Sequence, residues 1–343
     1  MIEFSYIIGL ILSIFFINKL FNFKNFLQSQ SGERHQKFVE GKNIPLTGGL
    51  YFAITFIVIF YKTNQLILSL AIMSIFLLGL ISDLKIIKSP RIRFILQALI
   101  IVLFTYVFEL KIFSTRILFF DNFLEYEIVN LFFVVFCVLI LINGTNFIDG
   151  LNGLVIGYFV IVSLVLYSTG LFDDLNFTDE EYLFFFGALA IIFLFNVSNK
   201  LYLGDSGAYT MSLTFSFIII KHHEQFSSIS PYFIILLLWY PCFENLFSII
   251  RKYKSKRSPM FPDENHLHQM LFYFLKKKIK TKNIYVNNLS SLVILLFNGV
   301  IIYTGSQFIY STKIQIYMLL LAILSYIFTY IALFKYKYKS IKK

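Results

Sequence analysis

"LFFVVFCVLILINGTNFIDGLNGL" occupies residues 131–154. An unbroken apolar run, Leu131 to Ile142, leads straight into three asparagines, one aspartate and three glycines. A run of that kind belongs in hydrocarbon, where irregular backbone is tolerated only beside protein or a polar cavity. The polar ending therefore predicts a cavity lined by small and polar groups at the end of a membrane helix.

The rest of the 343-residue chain repeats the theme. It is 58% hydrophobic and only 14% charged, against about 25% charged in a soluble protein. Apolar runs of roughly 18 residues or more recur, as transmembrane helices require, and exclude a soluble multidomain protein. The predicted fold is an all-α integral membrane bundle of about eleven helices in a single domain. The spans fall near residues 4–20, 48–61, 65–81, 92–108, 129–142, 152–168, 182–196, 206–220, 231–250, 287–308 and 314–334. Residues 48–61 and 65–81 read equally as a hairpin or as one broken helix. The opening "MIEFSYIIGL" holds Glu3, no basic residue and no small-residue cleavage site, so it reads as a retained helix, not a signal peptide. Cys137 and Cys242 lie inside apolar runs and form no disulfide framework or metal pattern.

Charge sets the sidedness. Loops 21–47, 82–91, 143–151, 197–205 and 251–286, the tail from 335, and Arg93 at a helix mouth together carry 24 of the 30 Lys and Arg. Positive loops face the cytoplasm, which puts the N-terminus outside and the C-terminus inside. The net charge of +11 thus marks membrane sidedness, and nucleic acid is not an expected partner. On the other face "FDDLNFTDEEY" (172–182) reads as a solvated acidic loop, and 111–128 as a short outer hairpin. Leu267, Met270, Leu271, Phe274 and Leu275 share one helical face ahead of "KKKIK". That pattern predicts a basic amphipathic helix on the inner leaflet, in contact with anionic lipid.

Asp83, Asp149, Asp205 and Glu244 interrupt or abut apolar runs. Ionisable groups there are expensive and mark function. The first three fall at inside ends, where they could converge on one cation. The structural alternative for "GDSGAY" is that Asp205–Ser206 merely caps a helix. Magnesium takes oxygen ligands and binds through one or two carboxylates plus substrate phosphates. Asp205 suits it. Asn146 and Asp149, three residues apart, would share a face of a short helical turn. Glycines 144, 150 and 153 allow close backbone approach, and metal with glycine-rich backbone suggests a phosphate site.

Five stretches, in this order, resemble the bacterial polyprenyl-phosphate N-acetylhexosamine-1-phosphate transferases. They are "IPLTGG" (44–49), "GLISDLKIIKSPRIRFILQ" (79–97), "NGTNFIDGLNGL" (143–154), "FNVSNKLYLGDSGAY" (195–209) and "SPMFPDENHLHQML" (258–271). The resemblance covers nearly the whole chain. It implies ten or eleven helices and a cytoplasmic active site, with UDP-N-acetylhexosamine and undecaprenyl phosphate as substrates, UMP as leaving product and membrane lipid as surroundings. A homodimer stays open. It also implies Mg2+, with Mn2+ as the alternative, on Asn146 and Asp205. Asp83 and Asp149 would serve the chemistry with His266 and His268. Lys42, Arg91 or Arg93, Asn152 (at the uracil edge) and Asn196 would bind substrate. The family usually has two adjacent aspartates where this chain has Ser82–Asp83, and a further histidine where Gln269 follows His268. The peptidoglycan enzyme of the superfamily carries three consecutive histidines, so this loop is more similar to the hexosamine branch. A transporter is the rival class, but its polar sites should lie near the bilayer midplane.

Overall fold

The computed structural model describes residues 2–23, 44–170, 177–226, 228–254 and 265–341. Thirteen helices run through them: α1 (Ile2–Phe23), α2 (Gly48–Lys62), α3 (Leu66–Asp83), α4 (Pro90–Val107), α5 (Leu118–Leu124), α6 (Glu127–Ile148), α7 (Leu154–Ser168), α8 (Asp179–Val197), α9 (Gly204–Gln225), α10 (Pro231–Lys254), α11 (Leu267–Lys278), α12 (Asn283–Ser306) and α13 (Thr312–Ile341). Each of the eleven apolar segments is a separate helix. α2 and α3 form a hairpin whose turn holds Asn64 at φ 58°, in the left-handed region that Asn tolerates. The two extra helices are α11, in the predicted amphipathic segment, and the seven-residue α5, which stands in place of the expected outer hairpin.

Seven helices (α3, α4, α6, α8, α10, α12 and α13) are long and apolar enough to cross a membrane. Their outer faces are greasy. Leu99 and Leu103, Phe132 and Phe136, and Leu292 and Leu296 are all exposed at helical spacing, a pattern that suits lipid as solvent. The 22-residue α9 is long enough but too polar to be counted with them. Thr210, Ser212, Thr214 and Ser216 are buried, and each donates its hydroxyl to the carbonyl four residues back. Polar side chains satisfied by their own helix can sit in a dry bundle. α9 therefore runs through the middle, packed against α2, α3 and α6.

Small residues let the backbones close in. A Cβ on Gly79 of α3 would sit 2.3 Å from Ser206 Cα of α9, and one on Gly144 of α6 would sit 2.1 Å from the Pro241 carbonyl oxygen of α10. Pro241 lies inside α10 and cannot donate to the carbonyl of Leu237. The Tyr158 hydroxyl of α7 takes that carbonyl instead, at 2.8 Å.

Most of the region 143–151 is not a loop, and only 149–151 turn away from the helix. α6 continues through Asn143–Ile148, because Gly144 lets that turn seat directly on α10. The tail from 335 is likewise helical as far as Ile341.

Packing at Gly144 predicts that Gly144→Ala costs about 1–3 kcal/mol. Thermal unfolding in detergent should show a lowered midpoint. Gly9→Ala, with nothing within 4 Å of the added carbon, should leave the midpoint unchanged.

Candidate active site

The first turn of α9 meets the ends of α3 and α6. A helix start leaves backbone N–H groups unpaired, and Leu203 at the N-cap position supplies no side-chain acceptor. The acceptors come from elsewhere. Asp83, the last residue of α3, accepts the Asp205 amide on Oδ1 at 2.8 Å and the Ser206 amide on Oδ2 at 3.0 Å. Asp149, just past α6, accepts the Gly204 amide. Gly204 has φ +74°, and a Cβ there would lie 2.8 Å from Asp83 Oδ2, so no other residue fits easily. Asp205–Ser206 is therefore not its own cap, and Asp83 spends both oxygens on backbone. Among the described residues no group of three or more His, Cys, Asp or Glu is preassembled around a metal position. The expected three-acid convergence is thus an assembly of different roles around one helix start.

Asp205 is the carboxylate left over. Its Oδ2 accepts the Ser82 hydroxyl at 2.5 Å, an Arg93 guanidinium N–H at 2.8 Å and the Tyr209 hydroxyl at 3.4 Å. Arg93 also donates to Ser82 Oγ at 2.7 Å. Arg93, one turn into α4, is thus the arginine that reaches the site, whereas Arg91 is exposed. Its guanidinium and the Ser82 hydroxyl meet on the same oxygen of Asp205.

Asn146 sits in the last turn of α6, and its Oδ1 is buried with no hydrogen-bond partner. Burial, reinforced by repulsion from Asp205, pushes the Asp149 carboxyl up to about 7. An orphaned amide oxygen beside crowded carboxylates suits a hard cation that takes oxygen ligands. Asn146 Oδ1 and the Asp205 oxygen not engaged by Arg93 are the donors that fit.

Asn152 and Asn196 belong to a lattice of amides that ties α7, α8 and α12 together. The Asn196 oxygen accepts the Gly153 amide, and its NH2 donates to Leu201 O at 2.9 Å. The Asn152 amide N–H donates to Asn287 Oδ1 at 2.8 Å, and its side-chain NH2 to Asn199 Oδ1 at 3.2 Å. Gly153, at φ +77°, turns the chain from that lattice into α7.

The histidine segment approaches from the other side. His266 lies tilted against Phe147, the neighbour of Asn146, at 5.3 Å between ring centroids, and His268 stacks on His266 at 5.7 Å. His266 Nδ1 is 2.9 Å from Glu244 Oε1. The ammonium of Lys252 lies 5.5 Å from the Phe147 ring centre. Lys42 lies outside the described residues. Sequence reading missed Tyr209 and Lys252. Tyr209 is one helical turn from Asp205, which is a usable signal, whereas Lys252 looked like one more charge in a basic loop.

Residues 65–223 match the family described as glycosyl transferase family 4. An undecaprenyl-phosphate alpha-N-acetylglucosaminyl 1-phosphate transferase of Thermotoga maritima is 30% identical over 235 residues, which are 67% of this chain and 68% of that protein. The chain belongs to glycosyl transferase family 4. A probable undecaprenyl-phosphate N-acetylglucosaminyl 1-phosphate transferase of Bacillus subtilis is 26% identical over 254 residues, 69% of this chain and 68% of that protein. A decaprenyl-phosphate N-acetylglucosaminephosphotransferase of Mycolicibacterium smegmatis is 30% identical over 155 residues, 38% of this chain and 37% of that protein. The family match spans α3 to α9 and so takes in Asp83, Arg93, Asn146, Asp149 and Asp205. The histidine segment lies beyond it.

This geometry separates the two arginines. Arg93→Ala strips Asp205 of its cation and should lower transferase kcat/KM by about tenfold or more, since a hydrogen bond to a charged group is worth about 1.5–3 kcal/mol. Arg91→Ala should stay within about twofold of wild type in the same assay.

Proposed function

We propose that this transferase moves N-acetylhexosamine 1-phosphate from a UDP-sugar to undecaprenyl phosphate. The products are a diphospholipid-linked sugar and UMP, the first membrane step of a surface glycan. The names of the relatives favour N-acetylglucosamine as the sugar to test first. The observation that carries the reading is the buried, unpartnered Asn146 Oδ1 three residues ahead of Asp149, whose carboxyl feels the charge of Asp205.

The reaction joins two anions. An oxygen of the lipid phosphate attacks the sugar-bearing phosphorus of the UDP-sugar. The bond from that phosphorus to the bridging oxygen breaks, and the electron pair leaves with UMP. Positioning and charge neutralisation carry most of such a transfer. Asn146 and Asp205 would hold a magnesium ion, which when bound neutralises the diphosphate and the leaving UMP. Arg93 holds Asp205 in place. His266 and His268 would hold the sugar-phosphate side, and Asp149 orients the start of α9. A lipid phosphate is mostly ionised near neutral pH, by analogy with a second pKa of about 6 in phosphoserine, so no strong base is required. Asp83, with both oxygens on backbone amides, supports a direct in-line displacement over an aspartyl-phosphate intermediate. The basic loops favour a cytoplasmic active site.

Purified protein should release UMP from UDP-N-acetylglucosamine only with magnesium and undecaprenyl phosphate both present. Asp205→Asn should lose at least about a hundredfold of that activity while its thermal unfolding stays cooperative. Release without lipid phosphate, or full activity in Asp205→Asn, would refute the reading.

A further inference from the structure

α4 leaves the site at Arg93 and α6 returns to it at Asn146, so the segment joining them lies at the end of the bundle remote from Asp205. That segment is tied to protein by its polar groups. Asp121 of α5 accepts the Thr115 amide and hydroxyl, each at 2.6 Å, and the Ser114 hydroxyl at 3.0 Å. The buried Asn130 of α6 accepts the Ile112 amide and donates to the Ile112 and Leu124 carbonyls, all at 2.9 Å. Glu224, near the end of α9, accepts the Lys111 amide. Arg116 donates to Ser228 O at 2.8 Å, to Tyr310 O at 3.3 Å and to the Thr312 hydroxyl. Irregular backbone at membrane depth needs partners of this kind within the protein.

The apolar groups are left outside. Leu118 is 85% exposed and Phe119 76%. Phe123 meets Phe119 edge to face, 5.1 Å between ring centroids, and Tyr126 is exposed three residues on. Leu118, Phe119, Asn122 and Phe123 share one face of α5, with Asn122 as its polar member. The depth of that face is legible along α6. Glu127 starts α6, and its exposed ion pair with Lys111, at 3.0 Å, marks the polar boundary. Phe120, on the protein side of α5, packs edge to face on Phe133 at 5.0 Å. Phe133 lies six residues past Glu127, about 9 Å along the helix. α5 therefore sits beside the first two turns of α6, not above them. Phe132, next to Phe133, and Phe136 are exposed on the face of α6 that suits lipid, and the Leu118–Phe119 face continues that surface.

We propose that α5 is an in-plane membrane anchor, with its Leu118, Phe119 and Phe123 face immersed just below the headgroups of the leaflet remote from Asp205. Helices of this kind bury an apolar face at the boundary between headgroups and acyl chains, and Tyr126 is a residue type enriched at that level. Asn122 keeps the helix at the boundary. The occupant of the patch is lipid, because the patch lies at membrane depth and is continuous with a lipid-facing stripe. The inference does not depend on the transfer reaction.

The chain contains one tryptophan, Trp239, which is buried, so an added tryptophan is readable by difference. Full-length Phe119→Trp and, separately, Leu118→Trp would be placed in vesicles whose acyl chains carry bromine close to the headgroup or close to the chain end. Lys313→Trp, at an exposed position at the same end of the bundle, is the water control. The added fluorescence of Phe119→Trp should fall at least about twofold with bromine near the headgroup and less with bromine near the chain end. Aqueous iodide should leave it unchanged. Lys313→Trp should be quenched by iodide and untouched by bromine. If Phe119→Trp does not fold, Leu118→Trp gives the same reading, because that side chain is the more exposed of the two. Quenching of these variants by iodide would place α5 in water and overturn the proposal. Protection from both quenchers also overturns it, and a disulfide-linked dimer of Phe119→Cys would then identify a second copy of the chain as the occupant. The measurement uses no substrate, so its outcome is separate from UMP release.

Discussion

The start of α9 is the constraint on which the site depends. Three amides there, on Gly204, Asp205 and Ser206, have no acceptor in their own segment. Carboxylates from α3 and α6 supply it. Inside a membrane bundle an unpaired amide is costly, so helices far apart in sequence are locked at one point. The close contacts of Gly79 with Ser206 and of Gly204 with Asp83 exist because those carboxylates must reach the backbone.

That lock divides the acids by role. Asp83 and Asp149 face backbone, which leaves Asp205 as the acid anchored by Arg93 and Ser82 on one oxygen. Asn146 faces the same region from the last turn of α6 with an unused oxygen. On the far side Phe147 carries the contact to His266 and Lys252. The two halves of the site are thus joined through consecutive residues of α6. This explains why the apolar run of α6 ends in amides and glycines while remaining helical.

The sequence was most informative where one solvent dictates one pattern. Runs built for hydrocarbon marked eleven helices, and the basic loops marked the end of the bundle where Asp83, Asp149 and Asp205 gather. α9 was legible too, although its Ser and Thr side chains hide in their own backbone. Local reading failed where partners are distant. Nothing near Asp83 announces that it caps a helix 122 residues away, and "GDSGAY" looks like a helix that caps itself. The continuation of α6 through Asn143–Ile148 was hidden because Gly144 signals a turn locally but serves a helix crossing. Tyr326 gives no signal at all, since only tertiary packing brings it to Glu244. The shared membership of family 4 locates the acids in α3 to α9 without revealing which one faces backbone.

Hydrogen exchange read by mass spectrometry tests the central constraint most directly. In wild type, peptides covering 203–209 should exchange slowly. In Asp83→Ala two amides lose their acceptor, at about 1–3 kcal/mol each, and those peptides should exchange at least about tenfold faster while peptides from α12 and α13 stay unchanged. Unaltered protection of 203–209 in Asp83→Ala would mean that α9 begins without help from α3, and the arrangement of acids described above would be wrong.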